Sequence, residues 1–270
     1  MMRSASSARS RWGLRTLGLG YLALLLLAPL VLLFYKTFEH GLAPPLDAIT
    51  SPDGLHALKL SLLMVAIAVP LNTIFGVGCA LLLVRHKWKG NAVIDAVINL
   101  PFAISPIVIG LSLFLLYGTK GWFGPTLAEA GIEILFSVPG MVLASIFVSV
   151  PFVVRETVPV LQEIGTEQEQ AATTLGANAW QTFWRITLPS IRWGVAYGIV
   201  LTTARVLGEF GAVSIVSGSR SGETETLPLF VQKAFDNFDP AGTYGASVLL
   251  AVLALSTLLA MNVLKRKEDA

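Results

Sequence analysis

The chain has 270 residues, 54% of them hydrophobic and 13% charged, with a formal net charge of +2. Soluble domains carry about a quarter charged residues, so this composition excludes an ordinary soluble enzyme. The net charge of +2 by itself says nothing about nucleic acid; what matters is where the basic residues lie.

The charges are confined to short clusters. Runs free of Asp, Glu, Lys and Arg cover 16–35, 60–84, 96–119, 134–154 and 240–264, and a sixth, 193–219, is interrupted only by Arg205 and Glu209. A bilayer core about 30 Å thick needs roughly 20 apolar residues in a helix. The expectation is an all-α integral membrane bundle of six transmembrane helices, one transmembrane domain over 1–270. Its spans fall at about 16–35, 58–84, 96–118, 136–158, 191–217 and 241–264.

In chain order, Arg3, Arg9, Arg11 and Arg15 precede the first run. That run is longer than the apolar core of a signal peptide and ends without a small-x-small cleavage site, so it reads as a retained helix. The single cysteine, Cys79, lies inside the second run and reads as a small packed residue. Arg85, Lys87 and Lys89 follow the second span, and Lys265, Arg266 and Lys267 follow the last. The first, third and fifth connections are acidic or mixed, with Glu39, Asp47 and Asp53, then Lys120, Glu129 and Glu133, then Arg220, Glu223, Glu225, Lys233, Asp236 and Asp239. Basic residues gather on the cytoplasmic side, which places both termini there and requires an even number of spans. Pro29, Pro70, Pro101, Pro106 and Pro151 lie within spans and read as kinks in packed helices.

The connection between the fourth and fifth spans, about 160–190, is the longest on the basic side. Thr166 with Glu169 three residues on has the spacing of a capping box. Gln168, Gln170, Ala171, Ala172 and Leu175 continue a short helix, and Gly176 is placed to end it in a left-handed turn. Asn178 is placed to cap a second helix, 179–187, holding Trp180, Phe183 and Trp184, with Pro189 closing it. Those aromatic side chains favour the membrane–water interface. The expected hairpin lies flat under the membrane and projects Ala171 and Ala172 for close contact with a partner; the alternative is a solvated linker helix.

In the fifth span, Arg205 and Glu209 are spaced i,i+4 on one face and fall near mid-membrane. Charge at that depth is costly, so the face points into protein or a water-filled path. Two readings stand: a cationic stage on a path for an anion, with Glu209 holding Arg205, or a pair that locks a subunit interface. Gly208 and Gly211 permit close backbone approach. Ser214, Ser217 and Ser219 further along are either hydrogen-bond donors to an anion or small packing residues. The segment Leu227–Phe235 has amphipathic character and reads as an outer gate or docking element.

There is no G-x-x-x-x-G-K-[ST] phosphate loop, and His40, His56 and His86 are scattered over different connections, so neither an ATP site nor a metal site is expected. No catalytic constellation can be nominated.

The spacing of Gln170-Ala171-Ala172, Gly176, Ile186, Leu188 and Pro189 resembles the EAA loop of ABC importer permeases, EAA-x3-G-x9-I-x-L-P. Gln170 stands where that pattern has Glu, which puts one charge contact in doubt, although Glu167 and Glu169 are close by. Downstream, WQTFWRITLPSIRWGVAYGIVLTTARVLGEFGAVSIVSG followed by SGETETLPL is similar to the W-type permeases of sulfate/thiosulfate ABC importers. The resemblance implies a multi-pass protein of the cytoplasmic (inner) membrane, paired with a homologous T-type permease, two ATPase subunits and an extracytoplasmic sulfate-binding protein. It implies that Glu169, Gln170, Ala171, Ala172, Leu175 and Gly176 couple to the ATPase. ATP and Mg would then sit on that partner, with no cofactor in this chain. Molybdate and tungstate permeases share a similar GEFG segment, and a secondary anion transporter or channel is the alternative of a different class.

Overall fold

The computed structural model describes residues 8–86 and 89–268, all of its regular structure helical. Arg3 and Lys87 of the basic clusters lie outside the described residues. α1 (Ala8–Leu22) runs through a π-helical turn (Ala23–Leu27) into α2 (Ala28–Phe38). After the short α3 (Ala43–Thr50), the long α4 (Pro52–Arg85) begins at Ser51, whose hydroxyl accepts the Gly54 amide at 3.0 Å. There follow α5 (Asn91–Ala103), α6 (Pro106–Tyr117), α7 (Gly124–Glu129) and α8 (Val138–Ile164). The chain continues through α9 (Glu167–Thr174), α10 (Ala179–Thr182), α11 (Leu188–Ser190), α12 (Arg192–Leu207), α13 (Gly211–Ser217), α14 (Leu227–Asp236) and α15 (Pro240–Glu268).

Among the described residues four helices are long and apolar enough to cross a bilayer unaided, at Arg15–Phe38, Pro52–Arg85, Val138–Ile164 and Pro240–Val263. The two remaining expected spans are broken. The third, expected as one helix over 96–118, is α5 and α6 meeting at 111°. Pro106 is the cause: its ring excludes the helical region for the preceding residue, and Ser105 is extended (φ −59°, ψ 137°) after an extended Ile104. The fifth, expected over 191–217, is α12 and α13 bent by 54°, with the break at Gly208–Phe210. Counting each bent pair as one span gives six.

α8 is the axis of the bundle, packed against α4, α5, α6, α12 and α13. Met141, Ala144, Val148 and Val153 recur at helical spacing on its buried faces. A cluster of Leu60, Met64, Met141, Val148, Val206, Val213 and Val216 fills one half of the core, and Val77, Val153, Leu161, Ile191 and Val195 fill the half nearer the 160–190 connection. The helices approach closely where glycine faces Val153. A Cβ built on Gly76 would lie 2.7 Å from the Val153 Cβ, and one on Gly198 2.8 Å from the Val153 Cα. Small residues at such crossings supply contact area that lipid cannot replace. One turn away, the fully buried Asn72 donates to Ser149 Oγ at 2.6 Å, tying α4 to α8. The first span is the opposite case: none of its apolar window is buried, and Leu17, Leu24 and Val31 face outward, as lipid or a second chain would require.

Gly198→Ala drives a methyl into the Val153 backbone and is expected to destabilise the detergent-solubilised protein by about 1–3 kcal/mol, read as a lower thermal midpoint. Gly78→Ala, where nothing lies within 4 Å of the added Cβ, is expected to leave the midpoint unchanged. Equal midpoints for the two variants would contradict the packing described.

Candidate functional site

The 160–190 connection folds as a helical hairpin. α9 is the first arm and ends at Gly176, whose φ of +89° is the left-handed conformation that glycine adopts without strain. The second arm starts at Asn178, which accepts the Gln181 amide at 2.9 Å while Gln181 Oε1 accepts the Asn178 amide at 3.0 Å. This is the reciprocal capping box. The box expected from Thr166 and Glu169 does not form: Thr166 makes no capping bond to the backbone, and its hydroxyl accepts from Gln170 Nε2 at 3.0 Å. The Glu169 carboxylate is engaged elsewhere, by Arg85 and Thr187. A cation within reach outcompetes a backbone amide for a carboxylate.

The second arm does not stop at Pro189. A π-helical turn (Phe183–Thr187) widens the helix ahead of the proline, absorbing the missing donor, and α11 carries the helix on to Ser190. Trp180 and Trp184 are exposed and meet edge to face at 5.5 Å, presenting an aromatic strip of the kind that seats at the interface. On the first arm the small side chains divide. Ala171 is exposed, but Ala172, expected to project, is buried with 8% exposure, and its carbonyl accepts the Ala177 amide at 3.0 Å as the hairpin turns. The projecting group is Leu175, 89% exposed.

The break in the fifth span carries the second set of residues. Arg205 Nη1 lies 2.7 Å from Glu209 Oε2. Glu209 is buried, and its other oxygen accepts the Ala212 amide at 2.8 Å. The carboxylate therefore neutralises Arg205 and satisfies one of the free amides at the start of α13. The Arg205 side chain is 28% exposed. Gly208 terminates α12 with its amide on Ala204 O at 3.2 Å, and among the described residues a Cβ added there would meet only Ala204 O within 4 Å, whereas Gly211 packs against α6, where an added Cβ would be 3.1 Å from Pro106 Cβ. The two broken spans thus meet at their breaks, and α6 and α13 both begin there.

Beyond the break, Ser214 donates to Gly211 O at 2.9 Å. Ser217 is fully buried: its hydroxyl accepts the Ser219 amide at 3.1 Å and its carbonyl accepts from Thr224 Oγ1 at 2.6 Å. Ser217 therefore closes α13, and its burial keeps it off the exposed surface. An open groove of about 370 Å³ is lined by Phe210, Ser214, Ser219, Gln232 and Lys233. It lies between α13 and α14.

Sequence reasoning missed Arg85, which it used only to set topology, and Arg155. The Arg155 guanidinium sits 4.8 Å from the centre of the Phe102 ring on α5 and donates from Nε to Asn99 Oδ1 at 2.9 Å. Neither pairing carries a short-range spacing signal, because the partners are brought together from different helices.

Three comparisons bear on this arrangement. The family described as binding-protein-dependent transport system inner membrane component matches residues 72–269. The sulfate transport system permease protein CysW of Synechocystis sp. is 50% identical over 251 residues, covering 93% of this chain and 91% of that protein. CysW of Escherichia coli (strain K12) is 44% identical, covering 94% and 88%, and CysT of the same organism is 37% identical, covering 93% and 92%. Among solved structures, a bacterial alginate ABC transporter in complex with an alginate pentasaccharide-bound periplasmic protein superposes with a TM-score of 0.80 at 19% identity, covering 98% of each chain. At that identity the superposition speaks for the fold. The chain belongs to the family of binding-protein-dependent transport system inner membrane components, the permease subunits of ABC importers.

Proposed function

We propose that this chain is one of two permease subunits of an ATP-driven importer of sulfate and thiosulfate. The observation that carries the reading is the 50% identity to a sulfate permease along nearly the whole of both chains. The partner permease is a T-type homologue, akin to the CysT proteins that this chain also resembles. Two ATPase subunits bind ATP and Mg on the cytoplasmic side, and a sulfate-binding protein delivers the anion from the other. Both termini and the hairpin face the cytoplasm, in keeping with the basic residues at Arg15, Arg85 and Lys89.

The hairpin is the coupling element, with Glu169, Gln170, Ala171, Ala172, Leu175 and Gly176 forming its docking arm. Its geometry assigns distinct tasks. Ala171 and Leu175 offer the outward surface, Gly176 sets the turn, Ala172 packs the arms together, and Glu169 fixes the arm to the bundle. Closure of the ATPases moves the hairpin, and the hairpin moves the fourth and fifth spans.

In the membrane, the path runs along the open side of the fifth span. The neutral Arg205–Glu209 pair presents a partly exposed arginine side chain without a net charge. A dianion is stabilised there by hydrogen bonds yet is not held as it would be by an unpaired cation in a low dielectric. Ser214 and the groove beside it, which Lys233 and Asp236 both line, lie on the outer approach, while Gly208, Gly211 and Ser217 shape the break and the end of α13.

Three outcomes test this reading. Proteoliposomes holding the complete importer and its binding protein are expected to accumulate labelled sulfate only with ATP, with thiosulfate competing strongly and molybdate weakly. ATP-independent uptake would refute the importer reading, and dominant competition by molybdate would refute the substrate. Leu175→Asp is expected to reduce ATPase co-purification at least about tenfold, because it places a charge on the outward surface while leaving the hairpin's internal bonds intact. Undiminished co-purification would place the docking surface elsewhere. Arg205→Ala, assembled at normal levels, is expected to slow sulfate uptake about tenfold, a loss of about 1.4 kcal/mol; uptake at the wild-type rate would reduce the pair to a structural lock.

A further inference from the structure

Arg85 stands in the last turn of α4, far in sequence from the hairpin. Its Nη1 donates to Leu161 O at 3.1 Å and its Nη2 to Gly165 O at 2.8 Å, so it satisfies carbonyls that the end of α8 leaves free. The same Nη2 reaches Glu169 Oε1 at 3.2 Å, and Nε lies 2.9 Å from Glu169 Oε2. Thr187, in the second arm, donates to Glu169 Oε1 at 2.8 Å. One guanidinium and one carboxylate therefore tie together the ends of α4 and α8 and both arms of the hairpin.

What they span is a hinge. Between α8 and α9 the chain passes through Gly165 at φ +68°, ψ −157°, a conformation essentially confined to glycine. Nothing lies within 4 Å of a Cβ built there, so packing does not hold it. Covalent connection through such a residue transmits displacement poorly, because rotation about its soft dihedrals absorbs it. Arg85 binds the hinge residue's own carbonyl and a group on each side of it, Leu161 and Glu169. The two side chains are 14% and 22% exposed, which shields the contact from the screening that weakens surface pairs. A planar guanidinium fixed at several points has little freedom left to lose.

We propose that Arg85, acting through Glu169, clamps the Gly165 hinge, so that a displacement of the hairpin passes to the second and fourth spans as one rigid movement. Arg85 is a positioning residue that acts through Glu169. The proposal rests on the reading of the hairpin as the coupling element and adds the component that makes it stiff. Glu169, one residue before Gln170, is committed inward to the clamp and so does not replace the charge that Gln170 lacks.

The test uses the complete importer bearing Arg85→Ala or Glu169→Gln in this chain, the second being close in shape to the wild type. Both are expected to lose stimulation of hydrolysis by the sulfate-loaded binding protein and to lower sulfate uptake at least about tenfold, and Arg85→Ala, which lies outside the docking arm, is expected to retain ATPase co-purification and basal ATP hydrolysis. Arg85→Lys, which keeps the charge and loses the fork, is expected to fall between. The double variant Arg85→Ala/Glu169→Gln is expected to be no worse than the more severe single variant, as for residues that act through each other. Wild-type uptake and stimulation in both single variants would overturn the clamp, as would a loss of ATPase co-purification in step with uptake in Arg85→Ala. Multiplicative losses in the double variant would also overturn it. Should the wild-type complex import a different oxyanion with intact stimulation, the substrate assignment fails and the clamp stands. Should no ATPase bind the wild-type chain, both fall.

Discussion

A bilayer offers no water to rescue an unpaired backbone group or an isolated charge, and α8 is where this protein meets that constraint. Its buried faces take α4 through Asn72–Ser149 and Gly76–Val153, and α12 through Gly198–Val153. Contacts of backbone against Val153 leave little room for sliding, because interiors at this density are bistable rather than soft. The hairpin hangs from the end of this same helix. A force applied to the hairpin therefore acts on the central helix of the bundle, provided that the Gly165 joint does not yield.

The broken spans answer the same constraint differently. α5–α6 and α12–α13 interrupt their ladders inside the apolar layer, and each break is compensated locally. Glu209 takes up the Ala212 amide and the Arg205 charge, while Gly211 fits against Pro106. Irregular backbone at membrane depth persists where it is buried in protein or lines a cavity, and half-helix starts at mid-depth favour anionic groups. The arrangement couples a structural necessity to a chemical environment. The pair that repairs the break also leaves the Arg205 side chain partly exposed beside it.

The apolar runs were legible because a span needs only length and the absence of charge. The hairpin was legible because the Gly176 turn and the Asn178 cap are local devices, complete within a few residues. The pairing of Arg205 with Glu209 followed from their i,i+4 spacing. The failures have the opposite character. Ser105–Pro106 signals a boundary, but the 111° turn depends on α6 packing against α13. The local spacing of Thr166 and Glu169 announced a capping box, and Arg85, 84 residues away, claimed the carboxylate instead. Ala172 read as a projecting residue because composition does not say which side of a short helix folds back on its neighbour.

The central claim is that the hairpin and the adjoining ends of the second and fourth spans move as one body. The direct measurement is a pulsed spin-label distance between Ala179, exposed on the hairpin's second arm, and Leu82, exposed near the end of α4, in a Cys79→Ser background within the complete importer. The account predicts one narrow distance, the same in the nucleotide-free and ATP-bound complexes, that broadens in Arg85→Ala. A shift of about 5 Å or more on ATP binding, the size of one helical turn, in the otherwise wild-type chain would contradict it.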